Sequence, residues 1–349
     1  MIFSNKNMKK HLRKMALLLV MFVLLMSGCS ILEEAEDEGD DVIEVAAQEM
    51  HQDYEDIEIT IATGGTGGVY FPLGGAMATI FNTYVPGLRA TAESTGAAIA
   101  NIDLIRTGEA KMAFTQNDIT YYAYTGTEMY SDEMDLADNV RGLAVLYPEI
   151  IQIVSLVESE IYEVEDLRGK RVAIGAERSG TEANATHILQ MHGIEKEDLA
   201  EVHSISFAQA VMQMRNGKID AAFVTAGIPT SAISEMIEYM DVSIVPIRPE
   251  IIRMLSDRYP FYVEVDIPAG TYEGQETDVT TTAVMAMLVV SSDLPETLVY
   301  NMTQAIFEHQ EFIAEIHERG NDIILEAALI GMPVDLHPGA ARFYEKHVK

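Results

Sequence analysis

The sequence contains no tryptophan, only one cysteine in 349 residues, and few basic side chains. A single cysteine excludes an internal disulfide, so the folded part must be held together by its hydrophobic core. Lys and Arg number 23 against 55 Asp and Glu, a formal net charge of −32. We therefore expect no nucleic-acid partner, because binding a phosphate backbone needs clustered Lys and Arg.

The lone cysteine follows a pattern typical of a secretory leader. Residues 1–14 carry five basic and no acidic side chains, an apolar run extends from Met15 to Met26, and Ser27-Gly28 directly precede Cys29. The apolar run is shorter than the roughly 20 residues of a membrane-spanning helix. We interpret 1–28 as a lipoprotein signal peptide and Cys29 as the lipidation site, which predicts an extracytoplasmic, membrane-anchored protein. The alternative is an ordinary cleaved signal with an incidental cysteine.

Residues 29–56 form an acidic segment with little bulky apolar content. From Glu33 to Glu58 there are thirteen acidic residues and no Lys or Arg, so we expect a flexible, self-repelling tether. Without the five basic residues of the leader, the net charge becomes −37. This excess does not indicate a cationic ligand, because an acidic surface also keeps a protein soluble at high salt.

The remaining chain, 57–349, is longer than one typical domain and suits two. Short β-rich runs alternate in it with helical periodicity, which predicts an α/β fold with mainly parallel sheets covered by helices. The predicted strands are 58–63, 88–92, 111–115, 141–146, 152–156, 171–175, 221–225 and 242–246, and the predicted helices are 70–84, 97–107, 182–192 and a long one from Leu294. In such sheets, ligands bind at the carboxyl ends of the strands, near helix N-termini.

Two loops of the chain join a predicted strand to a predicted helix and are rich in small residues. The first, 64–73, contains four glycines before the helix at Tyr70, which fits an anion site and a plain tight turn equally well. The second, 177–184, offers Ser179 or Thr181 as a helix cap. Capping alone explains that pattern, whereas a sharper hypothesis is that both helix starts hold one anion. Arg178 would then add a charge-assisted bond to a carboxylate.

The folded part contains ordered sequence blocks at 63–75, 92–96, 113–118, 146–149, 179–185, 219–227, 259–262, 267–272 and 336–340. Together these blocks resemble the TAXI family of TRAP transporter solute receptors. The chain departs from the family at Glu177-Arg178, where the family usually has small residues or Pro-Gly. Arg178 retunes specificity if it points into the cleft and is a surface charge if it points outward.

The resemblance implies a two-lobed, periplasmic-binding-protein-like (type II) fold whose lobes are joined by hinge strands and close over the ligand. We place lobe 1 at 57–150 with 285–349 and lobe 2 at 151–284; Val242 to Ile247 is another possible return strand. The resemblance also implies a TRAP permease as partner and a small organic anion as ligand (glutamate, 2-oxoglutarate or a related dicarboxylate). We further expect no cofactor or metal, and a monomer.

Candidate ligand-binding residues lie at the predicted strand ends and helix starts. They are Gly67, Gly68, Val69, Tyr70, Glu93, Ser94, Thr95, Gln116, Asn117, Ser179, Gly180, Thr181, Glu182, Asn184, Thr225, Ala226 and Tyr259. Several of these have a purely structural interpretation as well: Ser94 and Thr95 as helix caps, and Tyr70 and Tyr259 as core or rim aromatics.

Two other classes of function are weighed against a solute receptor. An enzyme needs a poised set of catalytic groups, but the histidines are scattered and His187 and His192 lack HExxH spacing. A GxSxG nucleophile elbow is also absent from the sequence. We therefore expect no enzymatic activity. A surface antigen or adhesin without a transported ligand remains the alternative, although such a surface has no use for two glycine-loop helix starts.

Overall fold

The computed structural model describes residues 52–132 and 137–348. The signal peptide, Cys29 and most of the acidic tether lie outside the described residues, so the predictions made for them stay predictions. No helix in the described ranges has the length and apolar character needed to cross a bilayer.

Strands and helices alternate along the described chain, as the sequence pattern predicted. The strands are β1 (Ile57–Ala62), β2 (Leu88–Glu93), β3 (Met112–Gln116), β4 (Val140–Leu156), β5 (Arg171–Gly175), β6 (Glu201–Ser204), β7 (Ala221–Ala226), β8 (Val242–Val245), β9 (Val263–Ile267) and β10 (Val279–Ser291). The helices are α1 (Tyr70–Tyr84), α2 (Ala98–Thr107), α3 (Asn117–Thr125), α4 (Gly180–Met191), α5 (Phe207–Arg215), α6 (Ser231–Tyr239), α7 (Pro249–Arg258), α8 (Glu296–Glu308), α9 (Gln310–Ile316) and α10 (Pro338–His347). This confirms the α/β class.

The strands form one mixed sheet in the order β2-β1-β3-β10-β4-β7-β5-β6, with β8 on β4 and β9 on β10. Two parallel groups, β1 to β3 and β5 to β7, flank the long antiparallel strands β4 and β10. Because β3 is antiparallel to β10 and β7 to β4, the two parallel groups run in opposite directions. Their carboxyl ends therefore meet at the middle of β4, where Ala226 pairs with Ile150 and Pro148 with Met285.

Strand β4 differs from the sequence-based prediction of two strands, 141–146 and 152–156, around Tyr147-Pro148-Glu149. That prediction is wrong: the strand is continuous through these residues. The pairing between β4 and β10 has a bulge between Met285 and Met287. Proline is tolerated at such irregularities because the ladder hydrogen bond that it cannot donate is not needed there.

Both faces of the sheet are covered, so the central strands are apolar on both sides. Along β7, Ala222 and Val224 belong to one hydrophobic cluster, and Ala221 and Phe223 to the other. This follows from the two-residue period of a strand. Helices α1, α5, α6, α8 and α10 contribute to the first cluster and α2, α3, α4 and α7 to the second.

Several element boundaries also differ from the predictions. Helix α4 begins at Gly180 rather than 182, because Ser179 accepts a hydrogen bond from the Glu182 N–H and so caps it. The long helix expected from Leu294 is divided at His309 into α8 and α9. Helices α3, α5, α6, α7 and α10 and strands β6 and β9 were not predicted; each of them has ten residues or fewer.

Neighbouring glycines in α1 allow a matched test of its packing on the sheet. A Cβ on Gly74 would lie 2.4 Å from Thr63 Cγ2, whereas a Cβ on Gly75 would meet nothing within 4 Å. We expect Gly74→Ala to lower the free energy of unfolding by about 1–3 kcal/mol, because buried Thr63 is branched at Cβ and cannot turn away. Gly75→Ala should instead raise it by about 0.5–1 kcal/mol. Urea unfolding measures both, and equal effects of the two substitutions would contradict the packing.

Candidate ligand-binding site

A small cavity of about 60 Å³ lies where the two groups of strand ends meet. It is lined by the loop that opens α1, the loop that opens α4, and residues from the ends of other strands. The lining residues are Gly64, Gly65, Gly68, Val69, Tyr70, Thr95, Gly96, Ala97, Ala98, Gln116, Glu149, Ala176, Ser179, Gly180, Thr181, Ser206, Phe207, Thr225 and Ala226. None of them is Lys or Arg, and Glu149 is their only carboxyl.

The loop that opens α1 is shaped by hydrogen bonds to β2 and its following turn. Ser94 Oγ donates to the Gly64 carbonyl at 2.9 Å, and the Thr63 N–H donates to the Glu93 carbonyl. The N-cap of α1 is Val69, and no side chain caps this helix. The first N–H groups of α1 therefore have no side-chain acceptor at the cavity, an arrangement that favours an anion.

The loop that opens α4 needs glycine at the end of β5. Gly175 has φ of +103°, and a Cβ there would lie 2.9 Å from the Glu182 backbone nitrogen. This close turn brings Ser179, Gly180 and Thr181 to the cavity. The N-terminal end of α4 thus faces the same space as the start of α1.

Arg178 lies outside the cavity lining. Its guanidinium pairs with Asp103 of α2, and its side chain is half exposed. The backbone of Arg178 also connects helix α2 with the loop before α4, since the Ala100 N–H donates to the Arg178 carbonyl at 3.0 Å. Arg178 therefore ties α2 to the loop before α4 at the protein surface.

We expect Arg178→Gln to lower the free energy of unfolding by less than about 1 kcal/mol, because partly exposed ion pairs contribute little. Ligand affinity should change by less than fivefold, and the effect on stability should shrink at high salt. Arg168→Gln, which removes another exposed pair with Asp198, is the matched control. A loss of affinity above tenfold specific to Arg178→Gln would show that Arg178 contacts the ligand.

Gln116, at the end of β3, packs directly against the start of α4. Its Nε2 donates to Asn184 Oδ1 at 3.3 Å, and Asn184 Nδ2 in turn donates to Asp118 Oδ2 and to the Tyr262 hydroxyl. This chain of hydrogen bonds fixes the Gln116 amide and leaves its Oε1 without a hydrogen-bond partner. Gly180 makes the approach possible, because a Cβ there would lie 1.8 Å from Gln116 Oε1.

Two buried oxygens at the cavity accept or donate no hydrogen bond within the described structure. They are Gln116 Oε1 and Thr225 Oγ1, on residues that are 2% and 5% exposed. A buried polar atom without a partner costs about 1–3 kcal/mol. A ligand with suitable polar groups would recover that free energy, which makes the cavity a candidate binding site.

Glu149 lies on β4 at the cavity and is almost fully buried. Burial raises the pKa of its carboxyl to about 8, and hydrogen bonds with Gln116 and Tyr70 offset only part of this rise. The Tyr70 hydroxyl lies 2.8 Å from Glu149 Oε2 and 2.9 Å from the Thr115 carbonyl oxygen. A hydroxyl has one hydrogen, so both bonds form only when a protonated Glu149 donates to Tyr70.

A second buried carboxyl, Asp118, lies behind the cavity lining. Burial raises its pKa to about 7, although the Ile119 N–H and Asn184 donate to it. The network continues from Asn184 to Tyr262 and His187, whose ring stacks on Tyr259 at 4.1 Å. Burial lowers the pKa of His187 to about 4. These side chains support Gln116 from behind the cavity.

The structure brings a large part of the predicted site residues together at one cavity. Those that line it are Gly68, Val69, Tyr70, Thr95, Gln116, Ser179, Gly180, Thr181, Thr225 and Ala226. Those outside the lining are Gly67, Glu93, Ser94, Asn117, Glu182, Asn184 and Tyr259. Some of the latter hold the backbone: Asn117 Oδ1 accepts from the Met285 N–H, and the Gly67 carbonyl accepts from Ser231 Oγ.

Sequence reasoning missed several residues of the cavity. They are Gly64, Gly65, Gly96, Ala97, Ala98, Glu149, Ala176, Ser206 and Phe207. Glu149 belongs to a block that carries the family resemblance, but it lies between two predicted strands, 141–146 and 152–156, and not at a predicted strand end or helix start. Ser206 forms a capping box with Gln209 at the start of α5; that pattern is readable in the sequence and could have marked another helix start.

Comparisons with known proteins agree with this fold. PhnD1 from Prochlorococcus marinus (MIT 9301), solved in complex with methylphosphonate, has a TM-score of 0.52 at 11% identity over 76% of this chain and 90% of that one. This similarity shows a periplasmic-binding-protein-like fold. The alkanesulfonate-binding protein SsuA from Xanthomonas axonopodis pv. citri, bound to MOPS, has a TM-score of 0.47 at 11% identity over 78% and 86%.

The family of the chain follows from its sequence. A model of the NMT1-like family matches residues 61–347, nearly the whole described part. The chain therefore belongs to the NMT1-like family.

Proposed function

We propose that this protein is the extracytoplasmic substrate-binding subunit of a TRAP-type transporter of the TAXI class. It captures a small organic anion between two lobes, 57–150 with 285–349 and 151–284, and delivers it to the membrane permease. The observation that carries the proposal is the cavity at the meeting point of both groups of strand ends. Two helix starts line that cavity, together with Gln116 and Thr225, each of which carries a buried oxygen without a hydrogen-bond partner.

The anionic end of the ligand binds at the start of α4. Ser179, Gly180 and Thr181 line the cavity there, and the N-terminal N–H groups of a helix favour negative charge. Because no Lys or Arg lines the cavity, the carboxylate is held by backbone N–H groups and hydroxyls. This is consistent with glutamate, 2-oxoglutarate or a related dicarboxylate.

Closure over the ligand follows from contacts that span the two proposed lobes. Gln116 of lobe 1 packs on Gly180 of lobe 2, and Asp103 of lobe 1 pairs with Arg178 of lobe 2. A ligand that touches both sides stabilises the closed state over an open one by its differential affinity. Binding and closure are then one coupled equilibrium.

The test is a thermal-shift and calorimetry panel on the purified lipoprotein with glutamate, 2-oxoglutarate, succinate and uncharged sugars. We expect a concentration-dependent Tm increase with at least one of the anions and none with the sugars. Enzymatic turnover of a bound compound, or the absence of any response to anions, would contradict the proposal.

The lipid anchor is tested separately, by metabolic fatty-acid labelling of the wild type and of Cys29→Ser. We expect the label on the wild type and its loss in Cys29→Ser.

A further inference from the structure

Glu149 is a carboxyl at a cavity proposed to bind an anion, and the anion-binding function does not explain it. An ionised carboxylate there would repel the ligand, and a carboxyl is costly to bury without a partner. Its location is nevertheless well defined. Glu149 follows Pro148 beside the bulge in the pairing of β4 with β10, and its Oε2 contacts the Tyr70 hydroxyl at 2.8 Å.

Other polar groups at the same cavity are also hydrogen-bond acceptors. The chain of bonds through Asn184 leaves Gln116 Oε1 without a donor, and Thr225 Oγ1 is buried and unpartnered. Glu149, Gln116 and Thr225 thus offer three oxygens. An ammonium group has three N–H donors and no acceptor, which matches this set.

We propose that Glu149, Gln116 and Thr225 form a subsite for the ammonium group of the ligand, so that the site selects an α-amino acid over the corresponding 2-oxo acid. This deepens the proposed function and rests on it, since the carboxylate is still assigned to the start of α4. Without ligand, Glu149 is protonated and donates to Tyr70, which satisfies the Thr115 carbonyl as well. When the ammonium binds, Glu149 loses that proton to solvent and its carboxylate pairs with the ligand.

The groups that face Glu149 are consistent with this exchange. Tyr70 of α1 and Gln116 of β3 are its hydrogen-bond neighbours, and Asp118 of α3 is the nearby acidic group that opposes its ionisation. Among the described residues that line the cavity, none has a basic side chain that could stabilise the carboxylate in the absence of ligand. The ligand itself therefore supplies the compensating positive charge.

The experiment compares three pairs of compounds, in each of which an amino acid carries an α-ammonium group where its partner, a 2-oxo acid, carries a carbonyl. The pairs are L-glutamate with 2-oxoglutarate, L-alanine with pyruvate, and L-leucine with 4-methyl-2-oxopentanoate. Affinities are measured by calorimetry for the wild type, Glu149→Gln and the control Glu264→Gln, which alters an exposed carboxyl on β9. For the wild type and the control, we expect the affinity for the amino acid that binds to be at least tenfold higher than the affinity for the corresponding 2-oxo acid. Glu149→Gln should lose this preference through weaker amino-acid binding.

A second measurement needs no variant. Calorimetry at pH 7 in phosphate and in Tris should show that the amino acid releases close to one proton per ligand, while the 2-oxo acid releases none. Tighter binding of the 2-oxo acid, or an unchanged preference in Glu149→Gln, would overturn the ammonium subsite and leave the proposed function standing. If none of the six compounds binds the wild type, the proposed ligand class fails, and this inference fails with it.

Discussion

Gly180→Ala should abolish most ligand binding while the protein still folds. A Cβ at this position would lie 1.8 Å from Gln116 Oε1, 2.3 Å from Cδ and 2.8 Å from Nε2, so the whole carboxamide must move. Its bond to Asn184 would be lost, and the displaced group would occupy part of a cavity of about 60 Å³. Overpacking of this kind costs about 1–3 kcal/mol, or roughly 5- to 150-fold in affinity.

The fold should tolerate the substitution because Gln116 is a side chain that can turn and Ala is a better helix former than Gly. Calorimetric affinity and Tm without ligand are therefore measured on the same sample. Gly75→Ala, with open space around the new Cβ, is the control for a glycine change in another helix. Wild-type affinity in Gly180→Ala would show that the ligand does not bind beside Gln116.

The second large effect is a fall in stability as the pH rises, caused by Glu149. Its pKa is about 8 in the folded state against 4.5 for the ordinary group. Between these values the folded protein holds a proton that the unfolded chain has released, so the free energy of unfolding falls by about 1.4 kcal/mol per pH unit. From pH 6 to pH 8 the loss is about 2 kcal/mol, because the slope already falls as the pH approaches the folded-state pKa, and above pH 8 the curve flattens.

Urea unfolding of the wild type and Glu149→Gln between pH 6 and pH 9 measures this effect. The difference between the two proteins isolates Glu149, because they differ at that residue alone. Glu264→Gln should follow the wild type, and Asp118→Asn should change the slope mainly below pH 7, since the pKa of Asp118 is about 7. Parallel curves for the wild type and Glu149→Gln would show that Glu149 is ionised throughout.

Much of the fold was predictable because its signals are local. Helix α1 was predicted over its observed range, and β5 likewise, since apolar periodicity and flanking glycines define both. The prediction of two separate strands, 141–146 and 152–156, was wrong for a physical reason. A proline interrupts a strand pattern in the sequence, but a bulge in the pairing of β4 with β10 accommodates it.

The candidate site was partly predictable for a related reason. Gln116, Ser179 and Thr225 stand at strand ends or helix starts, and in an α/β sheet such positions converge. Glu149 occupies the middle of a strand, a position that this rule does not select. Asn184 and Tyr259 were expected at the ligand, yet they belong to the polar network behind the cavity lining.

The sequence by itself determined the α/β class, the positions of the two loops that open α1 and α4, and the single cysteine that limits the means of stabilisation. These depend on residues that are neighbours in the chain. Only the tertiary structure decided that Gln116 packs on Gly180, that Arg178 pairs with Asp103, and that Glu149 is buried beside Tyr70. Each of these contacts joins segments far apart in sequence, and burial, which sets the charge of Glu149, exists only once those segments are packed together.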